Sequence, residues 1–231
     1  GFYPDGIWTA PSDEALKNDI ELSLAAGFNG ARLHQKAFEE RFYYWADKLG
    51  YITWGEAPSW GMDANSVEVA RNFLQEWSEL VLRDRNHPSI FMWSIGNEVL
   101  EQWTDAKADT LSLEEANLVL NFGHSADMLA KDGEMSVNSL LTKKLADMVR
   151  KLDATRPVTA GCNEPNPNNH LFRSGALDII GFNYHDNWFA GVPQNFPGKP
   201  FIVTESVSGL MTRGYYRMPS DSMFVWPARW D

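Results

Sequence analysis

Six short apolar runs, each turning polar at its end and separated from the next by a helical pattern or a loop, most tightly limit how this chain can fold. They lie at residues 27–34, 50–57, 89–98, 156–163, 176–185 and 199–206. Alternation of such runs with amphipathic stretches is the pattern of parallel strands joined by crossover helices. A strand that starts apolar and ends polar suits a barrel with a packed base and a working rim. The chain has 231 residues, near the ~250 typical of a TIM barrel in one domain. The expected fold class is therefore α/β, of the TIM (β/α)8 type, with residues 1–231 as a single domain. A closed barrel of this type has eight strands, so six βα units predict an incomplete one. Phe224-Val225-Trp226 is the remaining strand candidate.

Helix signals fill the gaps. Ser12 is placed to cap a helix over residues 13–26, with Asp13 and Glu14 in its first turn. A second helix, over 39–49, should stop at Gly50. A longer one, over 65–85, puts Val69, Phe73, Trp77, Leu80 and Val81 on one face. Another, over 135–152, does the same with Leu140, Leu141, Leu145, Met148, Val149 and Leu152. Residues 100–133 read as a long insertion of the kind that walls or covers a site.

A net charge of −11 argues against a nucleic-acid or anionic-membrane partner, since phosphate binding needs a basic footprint. No apolar run approaches the ~18 residues of a membrane span. No basic-then-apolar leader opens the chain, so no signal peptide is expected. The lone cysteine, Cys162, rules out an internal disulfide and reads as a small buried thiol. No His/Cys/Asp cluster has metal spacing and no glycine-rich phosphate loop is present, so neither metal nor cofactor is expected. Ten Trp, thirteen Phe and seven Tyr suit a concave site that grips sugar rings, although most must be core.

Two of the runs deliver a carboxylate to their tips. Ile90 to Gly96 leads into Asn97-Glu98, and Phe201-Ile202-Val203-Thr204 leads into Glu205. Cleaving a glycoside needs a proton donor for the leaving oxygen and a second carboxylate on the other face of the sugar. A single Glu is most often a solvated charge, but each of these ends a buried strand. Asn97 can donate to a sugar hydroxyl, and Thr204 and Ser206 can fix Glu205.

Asn97-Glu98 and Thr204-Glu205 resemble the acid/base and nucleophile motifs of glycoside hydrolase family 2, in the retaining clan of β-galactosidases, β-glucuronidases and β-mannosidases. The likeness extends through Gly27-Phe28-Asn29-Gly30-Ala31-Arg32-Leu33-His34-Gln35, Arg85-Asn86-His87-Pro88-Ser89 and Gly181-Phe182-Asn183-Tyr184. It implies that Glu98 is the acid/base, with a raised pKa, and that Glu205 is an ionised nucleophile. Arg32 would keep Glu205 ionised and oriented, and Tyr184 would hydrogen-bond it. His34, His185 and Asn97 become substrate contacts, Trp188 a sugar-stacking ring, and Glu56 either a hydroxyl binder or a solvated or ion-paired carboxylate. His87 should be structural, at the barrel base; Trp93 is core or floor; His124 and His170 belong to surface or loops.

The substrate implied is a carbohydrate, a β-galactoside first. A β-glucuronide is the runner-up, with Lys36 as the nearest cation for its carboxylate. The resemblance also makes a bacterial periplasmic or extracellular setting plausible. Relative to the family, the first and eighth strands and the preceding β-sandwich domains are missing. Residues up to about 58 and from about 83 onward read like different branches. This predicts a fragment or an assembled chimera, weakly active or inactive alone, with another polypeptide supplying the absent strands. A non-catalytic scaffold is the alternative of another class. An aldolase-type barrel would want a Lys at a strand tip, and none is placed there.

Overall fold

The computed structural model describes residues 3, 6, 9–59, 66–98 and 137–206, except for the side chains of 137–140 and His170. The expectations for residues 100–133, His124 and Phe224-Val225-Trp226 fall outside the described residues.

Among the described residues, six strands occupy the six apolar runs. Strands β1 (Gly30–Leu33), β2 (Ile52–Glu56), β3 (Ile90–Asn97) and β4 (Val158–Gly161) form a parallel sheet in chain order. Strands β5 (Ile180–Asn183) and β6 (Phe201–Glu205) pair in parallel. The Cys162–Phe182 bridge joins the end of β4 to β5, with Cys162 N–H donating to Gly181 O and Asn183 N–H to Cys162 O. Parallel neighbours taken in sequence require a crossover between each pair, which produces the βα repeat of a barrel wall.

Every strand is shorter than its apolar run, and the rim ends have a physical reason. Gln35, Glu98, Tyr184 and His185 all adopt left-handed backbone, with φ of 55°, 52°, 58° and 50°. Such residues cannot continue a pleated strand. Thus β3 stops just before Glu98 and β5 just before Tyr184.

The helices follow their local signals. In α1 (Asp13–Ala25) the Ser12 hydroxyl accepts from Ala15 N–H at 3.2 Å. Helix α2 (Glu40–Leu49) ends at Gly50, whose φ of 70° would strain any residue carrying a Cβ. In α3 (Val67–Asp84), Phe73, Trp77 and Val81 are buried and Leu80 packs beside them. Val69 departs from its expected place: it is 38% exposed, because the first turn of α3 stands clear of the core, as Val67 also shows. Helix α4 (Val137–Leu152) buries Leu141, Leu145 and Val149, with Met148 and Leu152 partly covered. A short α5 (His170–Arg173), a 3-10 turn (Asp186–Gly191) and a short α6 (Val192–Asn195) complete the set.

The core lies between these helices and the sheet. Trp77 and Trp93 meet edge to face at 5.7 Å, each burial contributing about 2–3 kcal/mol. Trp93 is therefore core, and its indole N–H donates to Asp153 at 2.9 Å. Cys162 is fully buried. His87 stacks on Tyr43 and shares a 2.6 Å hydrogen bond with Asp47, an anchoring role before β3. No helix among the described residues is long and apolar enough to cross a membrane.

Candidate active site

The strand tips converge on one guanidinium. From β1, Arg32 sends Nε to Glu56 Oε2 at 2.7 Å, Nη2 to Asn97 Oδ1 at 2.6 Å and Nη1 to Glu205 Oε1 at 2.8 Å. Nη1 also reaches the Thr204 carbonyl at 3.3 Å. One planar fork thereby ties β1 to β2, β3 and β6, a geometry open to Arg and not to Lys. The close approach needs space at β4. A Cβ on Gly161 would come within 2.5 Å of both Arg32 Nη2 and Asn97 Oδ1.

Glu205, at the end of β6, receives two further donors. Tyr184 Oη donates to its Oε2 at 2.5 Å, and Asn183 Nδ2 to its Oε1 at 3.0 Å. Glu98, one step past β3, accepts from the same Asn183 Nδ2 at 2.6 Å. Burial lifts the Glu98 carboxyl above its ordinary range; the Asn183 bond opposes this, and the Glu205 charge adds to it.

The spacing of the two glutamates follows from their common donor. Two oxygens bonded to one nitrogen at 2.6 and 3.0 Å cannot be farther apart than the two bonds end to end. That limit on their nearest oxygens accommodates the roughly 5–5.5 Å carboxyl separation of retaining glycosidases.

Glu56 is not placed to meet a ligand. Its side chain has no solvent exposure. Oε2 takes Arg32 and Ser94, and Oε1 takes His34 and the Gln35 amide. Burial alone would raise this carboxyl, but the hydrogen bonds from His34 and Arg32, with the Arg32 charge, hold it below its ordinary range. Of the two expectations for Glu56, the ion-paired one describes the geometry, and hydroxyl binding is set aside.

The other sequence candidates fall in several places. Asn97 points Oδ1 into the cluster, toward Arg32 and Asn183. His34 is half exposed on the edge, bonded to Glu56 at 2.8 Å. His185 bonds Asn163 at 3.3 Å. Trp188, in the 3-10 turn, packs half-buried against the core. Lys36 pairs with Glu39 at 3.7 Å and lies over the rings of Phe38 and Tyr3. Asn183 and Gly161 were missed as site residues. Asn183 had a usable signal, being the polar tip of an apolar run; Gly161 had none, since nothing local marks a glycine needed for clearance from distant side chains.

Comparisons with known proteins bear on the family and the fold. Residues 10–225 match the family described as "Glycosyl hydrolases family 2, TIM barrel domain". The beta-galactosidase BoGH2A of Bacteroides ovatus is 60% identical over 231 residues, covering 97% of this chain and 27% of that protein. That continuous match runs through both halves of the chain, so a division into two branches is not supported. A putative beta-glucuronidase of Formosa agariphila is 26% identical over 92% of the chain and 16% of its own length. Among solved structures, a glycosyl hydrolase family 2 member from Bacteroides cellulosilyticus superposes with a TM-score of 0.57 at 26% identity, covering 85% of this chain and 22% of that one. The Bacteroides uniformis beta-glucuronidase superposes at 0.63 with 24% identity, over 83% and 22%, and supports the fold. The chain thus spans about a quarter or less of these relatives.

Proposed function

This chain belongs to glycoside hydrolase family 2, and from that premise we propose that it carries the catalytic centre of a retaining β-glycosidase acting on β-galactosides. In the first step an oxygen of Glu205 bonds to the anomeric carbon while the bond to the leaving oxygen breaks. Glu98 gives its proton to that oxygen. In the second step water adds to the anomeric carbon, Glu98 takes the water proton, and the ester bond to Glu205 breaks, restoring the carboxylate.

The observation that carries this reading is the shared Asn183 donor, which brings an oxygen of each glutamate to one nitrogen, as the closely spaced carboxylates of a retaining enzyme require. Arg32 and Tyr184 suit Glu205 to act as an oriented anion, and burial suits Glu98 to hold a proton. His34 and His185 stand at the rim as substrate contacts, with Asn97 oriented by Arg32 and Trp188 as the stacking ring.

The galactoside assignment is supported by the relative at 60% identity. A glucuronide would need a cation for its carboxylate, and Lys36 is already engaged by Glu39. The full-length protein, treated with a 2-deoxy-2-fluoro-β-galactoside and digested, should carry the label on Glu205. Label on another residue in an active sample overturns the nucleophile. Faster turnover of a nitrophenyl glucuronide than of the galactoside overturns the sugar.

A further inference from the structure

Asn183 has more acceptors than it can serve. Its Nδ2 lies 2.6 Å from Glu98 Oε1, 3.0 Å from Glu205 Oε1 and 2.9 Å from Asn97 Oδ1. A side-chain amide has two hydrogens, so three oxygens compete for two. Asn183 has no solvent exposure. Its orientation is decided by the other end, where Oδ1 accepts from Thr204 Oγ1 at 2.5 Å and from Arg32 Nη1 at 3.5 Å. A guanidinium only donates; turned round, the amide would set its nitrogen against Arg32 and its oxygen against three acceptors. The Asn183 main chain is held too, its N–H donating to the Cys162 carbonyl at 2.7 Å.

We infer that the Asn183 amide is shared between the two glutamates and follows the negative charge from one to the other during turnover. The inference rests on the roles proposed for Glu98 and Glu205. In the first step Glu205 loses its charge to the new ester bond as Glu98, giving up its proton, becomes the carboxylate. In the second the proton and the charge return to where they began. One unit of charge therefore crosses between two oxygens that touch the same nitrogen. A hydrogen bond to a carboxylate is about twice as strong as one to a neutral oxygen. The amide thus stabilises Glu205 before attack and Glu98 after it, without moving off its anchors. Among the described residues, the charged and titratable groups of this cluster include Arg32 and His34 at the β1 tip, Glu56 on β2, Glu98 after β3, Cys162 after β4, Tyr184 and His185 after β5, and Glu205 on β6.

A donor serving Glu98 alone and a shared donor are separable by pH. In the full-length protein, Asn183→Ala should slow both release of dinitrophenol from an aryl galactoside and reactivation of the 2-fluoro-galactosyl enzyme, each by about tenfold or more. Without the amide, Glu98 holds its proton more tightly. The alkaline limb of the first step and the acidic limb of the second should then both move to higher pH. The second should move further, by about half a pH unit or more, because the amide serves Glu98 fully only once Glu205 is esterified. Thr204→Val, which loosens the Oδ1 anchor, should give smaller shifts of the same sign and carries the test if Asn183→Ala does not fold. Unmoved limbs, or limbs that move equally, overturn the sharing while leaving the proposed function intact. Absence of any label on Glu205 in the unaltered protein overturns both.

Discussion

Arg32 and Glu56 form a buried ion pair, Nε to Oε2 at 2.7 Å, in which the carboxylate has no solvent exposure. Glu56 therefore acts on the site through Arg32, whose other nitrogens hold Asn97 and Glu205. Glu56→Gln should cost on the order of 3 kcal/mol of stability by breaking a buried pair. It should lower kcat about 10–100-fold with little change in KM, because the guanidinium loses its angle. Denaturant melts and steady-state kinetics check this; a rise in KM with kcat unchanged would show direct sugar contact.

Glu98 sets the alkaline side of the pH profile. Its carboxyl is raised by burial, and the acid must hold its proton when the leaving group departs, so activity should fall as pH climbs through that raised value. The same shift works on stability. Its contribution is fully present below the ordinary carboxyl value and is lost as pH rises through the folded one. Glu98→Gln should thus abolish the alkaline limb, slow substrates with poor leaving groups by about 10²–10⁴-fold, and raise the melting temperature near pH 8 but not near pH 4.

Gly161→Ala should damage activity more than folding. The added methyl would press on Arg32 and Asn97 from 2.5 Å and on Asn183 from 3.0 Å. These are side-chain ends that can shift, at the expense of their alignment. A loss of kcat of about 100-fold is expected with a cooperative melt retained. Unchanged kinetics would show that the Arg32 fork tolerates displacement.

Tyr184→Phe removes the 2.5 Å donor on Glu205 Oε2 and leaves the ring. A fall in kcat of about 10²-fold is expected, with circular dichroism unchanged; equal activity would remove Tyr184 from the site.

Asp153 links Trp93, Thr155 and Arg156 at the end of α4. Burial would raise its carboxyl, but these hydrogen bonds outweigh it and bring it down to about 2. A depressed carboxyl stabilises the fold above its unfolded value, so this contribution, on the order of 2 kcal/mol, should fade as pH drops from about 4 to about 2. Asp153→Asn should flatten that part of the stability curve, as measured by urea melts across the range.

Strand placement, the capping of α1 by Ser12, the stop at Gly50 and the two carboxylate tips were legible because each is written in neighbouring residues: periodicity, a cap, a polar end after an apolar run. Strand ends were overextended at the rim because left-handed residues such as Glu98 and Tyr184 carry no compositional mark. The resemblance added Arg32 and Tyr184 to the list of site residues.

What local pattern could not decide is which tips meet. Arg32 and Glu205 stand 173 positions apart, and Asn97 and Asn183 stand 86 apart; their contact depends on how the parallel strands curve around a common centre. The sequence by itself determined that two glutamates stand at the tips of two strands of an α/β barrel wall; in the fold, the one before Glu98 is buried and the one before Glu205 only partly so. The tertiary structure decided that Glu56 faces inward to Arg32, that Gly161 leaves room for the fork, and that one amide touches both glutamates. The physical reason is that hydrogen bonding among strand tips is a property of converging elements, which no single element encodes.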